Sequence, residues 1–339
     1  MSSIVRIAAT TVAAIALTAG AAFAQDACQK PAEAKKIIVM ADWIPWSNQG
    51  PMFTAQQKGL YKEEGIEVEV ISPANPADPI KLVARERVNI SMTYVPEVML
   101  SRETGIPVTS VAVALRVLSS GLTTHGEENI KTPADLKGKI VGIGPKQDAQ
   151  AYLDTLLKSA GLTKKDIQMV DPGFGHSQYL MTRKVAAAHT LAYAENMIIE
   201  ELSVKEGKPK PNFLRYSDFG VPKFYYQLYV ANENWSKKNA ATICRFLRAT
   251  GKGADDYFGK QGWQETNKWV HSKNSVFSLE QHNKMAQAIS THWKDEAGKY
   301  WVQKDEVWKQ AQDWALQQKF ISIPEETKKY FTNAYVPKS

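Results

Sequence analysis

The residues best suited to chemistry lie in MTYVPEVML, residues 92–100, where Tyr94, Pro96 and Glu97 interrupt an apolar run. A carboxylate beside an aromatic face can read a flat, nitrogen-rich ligand, the ring packing on the phenol and the amino edge donating to the acid. The plainer alternative for Glu97 is a surface acid that complements the dipole at a helix start. Near the N-terminal end of the chain, DWIPWSNQG supplies Trp43 and Trp46 after an apolar strand. Each is either a stacking wall or a core tryptophan. Asn48 in the same stretch can both donate and accept at a heterocycle edge, or can cap the turn before Gly50.

Further along, Ser119 and Ser120 either bind ligand or line a hinge. VGIGPKQDAQ carries a lone Gly-x-Gly, a weak phosphate-cradle pattern that reads equally as a tight strand-to-helix turn. Its backbone N–H groups could touch a polar ligand tail. GFGHS places Phe174 and His176 on a loop at a strand end, with His176 expected in solvent, and AYAENM offers Tyr193 and Glu195. The tryptophans of the C-terminal third, among them Trp301 and Trp308 seven residues apart on a helical pattern, read as a packed stripe.

Other chemistries lack their residues. The histidines form no H-x-x-x-H or similar metal spacing, and there is no G-x-S-x-G elbow. No cofactor or metal is expected. The formal charge of +7 comes from scattered Lys and Arg with acids among them, a solvated surface with no nucleic-acid footprint. Cys28 and Cys244 could pair in an oxidising compartment, and the sequence leaves that open.

Two runs of alternating short strands and helices must position these residues. The first begins with KIIVM, GPMFTAQQKGLYKEEG and IEVEVIS; the second holds KIVGIG, DAQAYLDTLLKSAG and VAAAHTLAY. Repeated βα units predict an α/β protein with mostly parallel sheets. We expect two α/β lobes joined by two crossing segments, near residues 119–127 and 218–229. Lobe one spans 36–120 and 228–339, lobe two spans 121–227, and the ligand cleft lies between them, beyond the strand C-termini. Residues 1–24, with Arg6, an apolar small-residue core and AFA before Gln25, read as a cleaved signal peptide for export.

Taken in order, DWIPWSNQGPMFTAQQKGLYKEEGIEVEV, TYVPEVMLSRETGIPVTSVA, KTPADLKGKIVGIG, DFGVP and YFTNAYVP resemble the thiamine-pyrimidine-precursor binding family. Its members are exported solute-binding proteins of ABC importers, similar in fold to eukaryotic pyrimidine synthases. The resemblance spans nearly all of residues 36–337. It implies a type II periplasmic binding fold and capture of a pyrimidine-like heterocycle by lobe closure. It also implies delivery to a membrane permease driven by a cytoplasmic ATPase, contact with the membrane only through that transporter, and action as a monomer. Relatives that take up riboflavin or sulfonates such as taurine make those the alternative ligands, and a periplasmic sensor module is a further alternative. Trp43, Tyr94, Glu97, Phe174 and Tyr193 match the family's pattern. The segment at 193–195 departs from it: Ala194 replaces an aromatic residue, and Glu195 is shifted by about two positions. Against the related synthases, the positions of their cofactor lysine and donor histidine hold Thr93 and Glu97, and GVPKFYYQLY replaces their cysteine-rich run. The resemblance therefore implies a binder and not an enzyme.

Overall fold

The computed structural model describes residues 28–259 and 262–338; the leader assigned to residues 1–24 lies outside the described residues. In chain order its strands are β1 (Lys36–Met40), β2 (Glu67–Ile71), β3 (Ile90–Tyr94), β4 (Val108–Leu115) and β5 (Ser120–Thr124). They are followed by β6 (Ile140–Gly142), β7 (Gln168–Val170), β8 (Ala187–Leu191), β9 (Asn212–Arg215) and β10 (Gln227–Asn232). They form two five-stranded sheets, β2-β1-β3-β10-β4 and β7-β6-β8-β5-β9. Helices cover both. β3 and β4 are buried along their whole length, Ser91, Thr93, Thr109 and Ser110 included, as strands covered on two faces must be.

The sheets are mixed, whereas repeated βα units predicted mostly parallel ones. β1 runs parallel to β2 and β3, and β6 parallel to β7 and β8. β10 is antiparallel to β3 and β4, and β5 antiparallel to β8 and β9. β5 and β10 are the strands by which the chain enters one sheet from the other. Each arrives from the opposite lobe and so points against its new neighbours. The first crossing is correspondingly short, residues 116–119, because β5 already belongs to the second sheet; the second spans 216–226.

Helix Gly50–Gln57 packs on helix Ala240–Phe258 so closely that a Cβ on Gly253 would lie 2.4 Å from the Pro51 carbonyl oxygen. The single helix expected over GPMFTAQQKGLYKEEG breaks at Gly59, which takes a positive φ of 73°. Cys28 and Cys244 form a disulfide with their Cα atoms 5.2 Å apart, closing the question the sequence left open. Beside it, buried Glu64 accepts from Arg248 at 2.5 Å and pairs with Lys252 at 3.1 Å. Trp293, Trp308 and Trp314 are buried core. Trp301 is buried too but is not helical: it takes a positive φ of 70° ahead of helix Asp305–Gln317 and bridges Val113 in an extended pairing.

Candidate functional site

The two sheets point the C-terminal ends of β1 and β3 at those of β6 and β8, and the side chains there build the site. Asp42 follows β1 and is buried. It accepts from Gln49 Nε2 at 2.9 Å, from the Tyr94 hydroxyl at 2.6 Å and from Gln227 Nε2 at 2.6 Å. The turn after β1, the end of β3 and the start of β10 are thereby tied to one carboxylate. Burial, and then the Asp42 charge, push the Tyr94 phenol well up, so it stays protonated and donating. Tyr226, at the end of the second crossing, packs at 5.1 Å from Tyr94.

Lobe two meets this wall with its loops. Lys146 caps helix Gln147–Ser159 and holds its ammonium 3.8 Å over the Tyr94 ring, within the range of a cation–π contact, and 5.6 Å from Trp43. Asp148, in the first turn of that helix, is buried, and its Oδ1 has no hydrogen-bond partner. Phe174 packs edge-on against Trp43 at 4.7 Å. His176 opens helix His176–Met181 with its Nδ1 2.8 Å from the His189 carbonyl oxygen. Burial lowers the imidazolium affinity of both histidines, to about 4 for His176 and well below the ordinary value for His189, so both are neutral at physiological pH.

Trp46 stacks on Tyr193 at 6.4 Å, and Asn48 Nδ2 donates to the Tyr193 hydroxyl at 2.9 Å. Tyr193 and Glu195 lie in a π-helical turn, Ala192–Asn196, kinked at Ala194 (φ −127°, ψ −106°). Glu195 Oε2 accepts from the Leu191 amide at 3.0 Å, and burial raises its pKa.

Between the lobes these groups leave a cavity of about 570 Å³, counting its open mouth. Trp43, Trp46, Tyr94 and Tyr226 form the aromatic side. Lys146, Asp148, His176, His189 and Glu195 form the polar side. Exposed aromatic faces can stack on a flat ring, and carboxylate acceptors at its edge select N–H donors.

Of the residues expected from sequence, Trp43, Tyr94 and Glu195 line this cavity. Phe174 backs Trp43, and Asn48 and Tyr193 bond to one another across the lobes beneath Trp46. Ser119 and Ser120 are buried at the first crossing, where the Ser119 carbonyl accepts from the Ala192 amide at 2.8 Å; neither is part of the cavity lining.

Glu97 is a correction. Instead of reaching the cavity it is buried in the first turn of helix Val95–Glu103, takes the Thr93 hydroxyl on Oε2, and lines a separate groove with Pro145 and Gln147. Burial, reinforced by the Asp148 charge, raises its pKa to about 7. His176, expected in solvent, is buried because its ring spans from Trp43 to His189.

Asp42, Lys146, Asp148, His189 and Tyr226 complete the site without having been singled out as ligand contacts, and Trp46, read either as a stacking wall or as core, lines it too. The available signal was position. Asp42 directly follows an apolar strand, and Lys146 and Asp148 sit in the turn after β6, where ligands of such sheets bind.

The fold is shared with periplasmic binding proteins. The alkanesulfonate-binding protein of Xanthomonas axonopodis pv. citri, solved with MOPS, superposes with a TM-score of 0.67 at 11% identity, covering 89% of this chain and 99% of that one. The nitrate-binding protein of Synechocystis matches with a TM-score of 0.67 at 14% identity, covering 90% and 88%. The chain is an α/β protein of the type II periplasmic binding fold. Residues 46–261 match the family described as NMT1/THI5 like, and the chain belongs to that family. It is 32% identical over 218 residues to a Haemophilus influenzae protein named for thiamine biosynthesis, covering 64% of this chain and 68% of that one. A formylaminopyrimidine-binding protein of Halalkalibacterium halodurans is 29% identical over 218 residues, 64% of each chain. A 4-amino-5-hydroxymethyl-2-methylpyrimidine phosphate synthase of Saccharomyces cerevisiae is 26% identical over 310 residues, covering 89% and 88%.

Proposed function

We propose that the chain is the periplasmic substrate-binding component of an ABC importer, capturing an aminopyrimidine precursor of thiamine and presenting it to a membrane permease. One observation carries this reading: an aromatic slot edged by carboxylates. Trp43 and Tyr94 offer faces for a ring, and Asp148 and Glu195 offer acceptors for an amino edge. Hydrogen bonds to charged acceptors contribute about 1.5–3 kcal/mol each. The formylaminopyrimidine-binding relative supports the same ligand class.

The sulfonate alternative fits less well. An anion placed here would face those carboxylates with Lys146 as the one cation of the lining, since both histidines are neutral. The enzyme alternative lacks its chemistry: where the synthases carry a cofactor lysine and a donor histidine, this chain has Thr93 and Glu97 bonded to each other. Capture proceeds by closure of the lobes around the two crossings, with the Asn48–Tyr193 bond and the Lys146–Tyr94 contact joining them in the closed form. The protein works as a monomer, with lobe one at 36–120 and 228–339 and lobe two at 121–227.

Isothermal titration with aminopyrimidines, thiamine, riboflavin and taurine tests the reading. Aminopyrimidine binding tighter than any other ligand of the panel is expected; tight taurine binding with no response to a pyrimidine would overturn it.

A further inference from the structure

The cleft gathers more carboxyl groups than cations, and burial raises the pKa of three of them, Glu97, Asp148 and Glu195. Four carboxylates, Asp42, Glu97, Asp148 and Glu195, stand around or just behind the cavity. They face one ammonium, Lys146, which lies over an aromatic ring. The imidazoles of His176 and His189, packed on the same side, are neutral, and the Tyr94, Tyr152 and Tyr226 phenols around them are all held protonated by burial.

The carboxylates differ in what they have left to offer. Asp42 already accepts from Gln49, Tyr94 and Gln227. Glu97 takes the Thr93 hydroxyl and Glu195 takes the Leu191 amide. Asp148 is 3% exposed, lines the cavity, and keeps Oδ1 without a partner. Leaving an acceptor buried and unpaired is costly, and more so when it is charged. A ligand that brings both a donor and a positive charge removes that cost.

We propose that the site takes its heterocycle as the cation, protonated at a ring nitrogen, with Asp148 as its counter-ion through an N–H to Oδ1 bond. The inference rests on the aminopyrimidine reading above and refines it. The ring-nitrogen lone pair takes a proton from solvent and becomes the donor; no other bond forms or breaks. An amidine-like ring, in which the exocyclic amine delocalises the charge, suits this site, and stacking on the Trp43 face gains from a cationic ring, while Lys146 occupies the Tyr94 face. Glu97, behind the wall, feels the charges of Asp148 and Lys146, and burial together with the Asp148 charge favours its protonated form.

The test uses the full mature chain and 4-amino-2-methylpyrimidine labelled with ¹⁵N in the ring. At pH 7.5 the free probe is the neutral base, and protonation moves the ring-nitrogen resonance far from its free-base position. A bound signal at the acid-form position is the expected result. In Asp148→Asn the bound signal returns to the free-base position and affinity drops at least tenfold. A wild-type bound signal at the free-base position overturns the proposal and leaves the aminopyrimidine reading standing. An acid-form signal that survives in folded Asp148→Asn also overturns it, because another group then holds the charge. Absence of any binding by the probe overturns both.

Discussion

The two lobes contribute unlike halves to the cleft. Lobe one presents a wall whose parts are already tied together: Asp42 gathers Gln49, Tyr94 and Gln227, and the Cys28–Cys244 bridge and the Glu64 cluster brace the helices behind it. Lobe two presents Lys146, Asp148 and Glu195 on strand-to-helix turns, one of them kinked at Ala194 and one carrying an unpaired acceptor. Under the proposed function, surface for stacking resides on the braced side, and discrimination by charge and donor pattern on the other. A binding protein divided in this way can change its ligand by altering lobe-two turns while its stacking wall stays as it is.

The comparison breaks most visibly through the disulfide. It closes a loop of 216 residues but pins only lobe-one elements, so Cys244→Ser should lower stability by about 2–4 kcal/mol in chemical denaturation. Ligand affinity should stay within about twofold, a margin well below 1.4 kcal/mol. A large affinity loss at unchanged stability would contradict the bracing role.

Next in size is the pH dependence contributed by Glu97. Its folded pKa is raised from 4.5 to about 7, so the folded state holds the proton more tightly than the unfolded chain. Stability therefore falls as pH rises from about 4.5 to about 7 and is level above, by roughly 3 kcal/mol in total. Glu97→Gln should flatten that slope and stabilise the protein above pH 7, read by denaturation at a series of pH values. An unaltered slope would place the titration elsewhere.

Trp43→Ala removes the stacking face and should weaken aminopyrimidine binding by about 1–3 kcal/mol in titration calorimetry. Equal affinity would mean that Trp43 only packs Phe174. The smallest effect belongs to the cross-lobe bond. Tyr193→Phe deletes the acceptor for Asn48 and should cost about 0.5–1.5 kcal/mol of closure, seen as a larger ligand-free radius of gyration in small-angle scattering. No change would mean that closure is held by the Lys146 and Trp43 contacts.

These effects also mark what could be read from sequence. The βα alternation, the two lobes and the placement of Trp43 and Tyr94 in the cavity wall were legible because they depend on local period and on residues next to strand ends. The direction of β5 and β10 was not, since a strand's hydrophobic pattern is the same whichever way its neighbours run. Glu97 misled because an acid beside a tyrosine looks the same in sequence whether it faces a cavity or a threonine one turn back. Asp148 was passed over inside a glycine turn that drew attention to backbone amides. Its role depends on a missing partner, which only three-dimensional placement reveals.

The position of β10 bears on how the molecule is made. β3 and β4 are not paired with each other; β10 lies between them, and it follows the whole of the second sheet in the chain. A ribosome releases residues 36–115 long before 227–232, so the first sheet waits with a gap at its centre while the second can already close. Two apolar strand edges stay open for that interval, a state prone to wrong pairing. The second lobe completes first, and the stacking wall is among the last parts of the protein to exist.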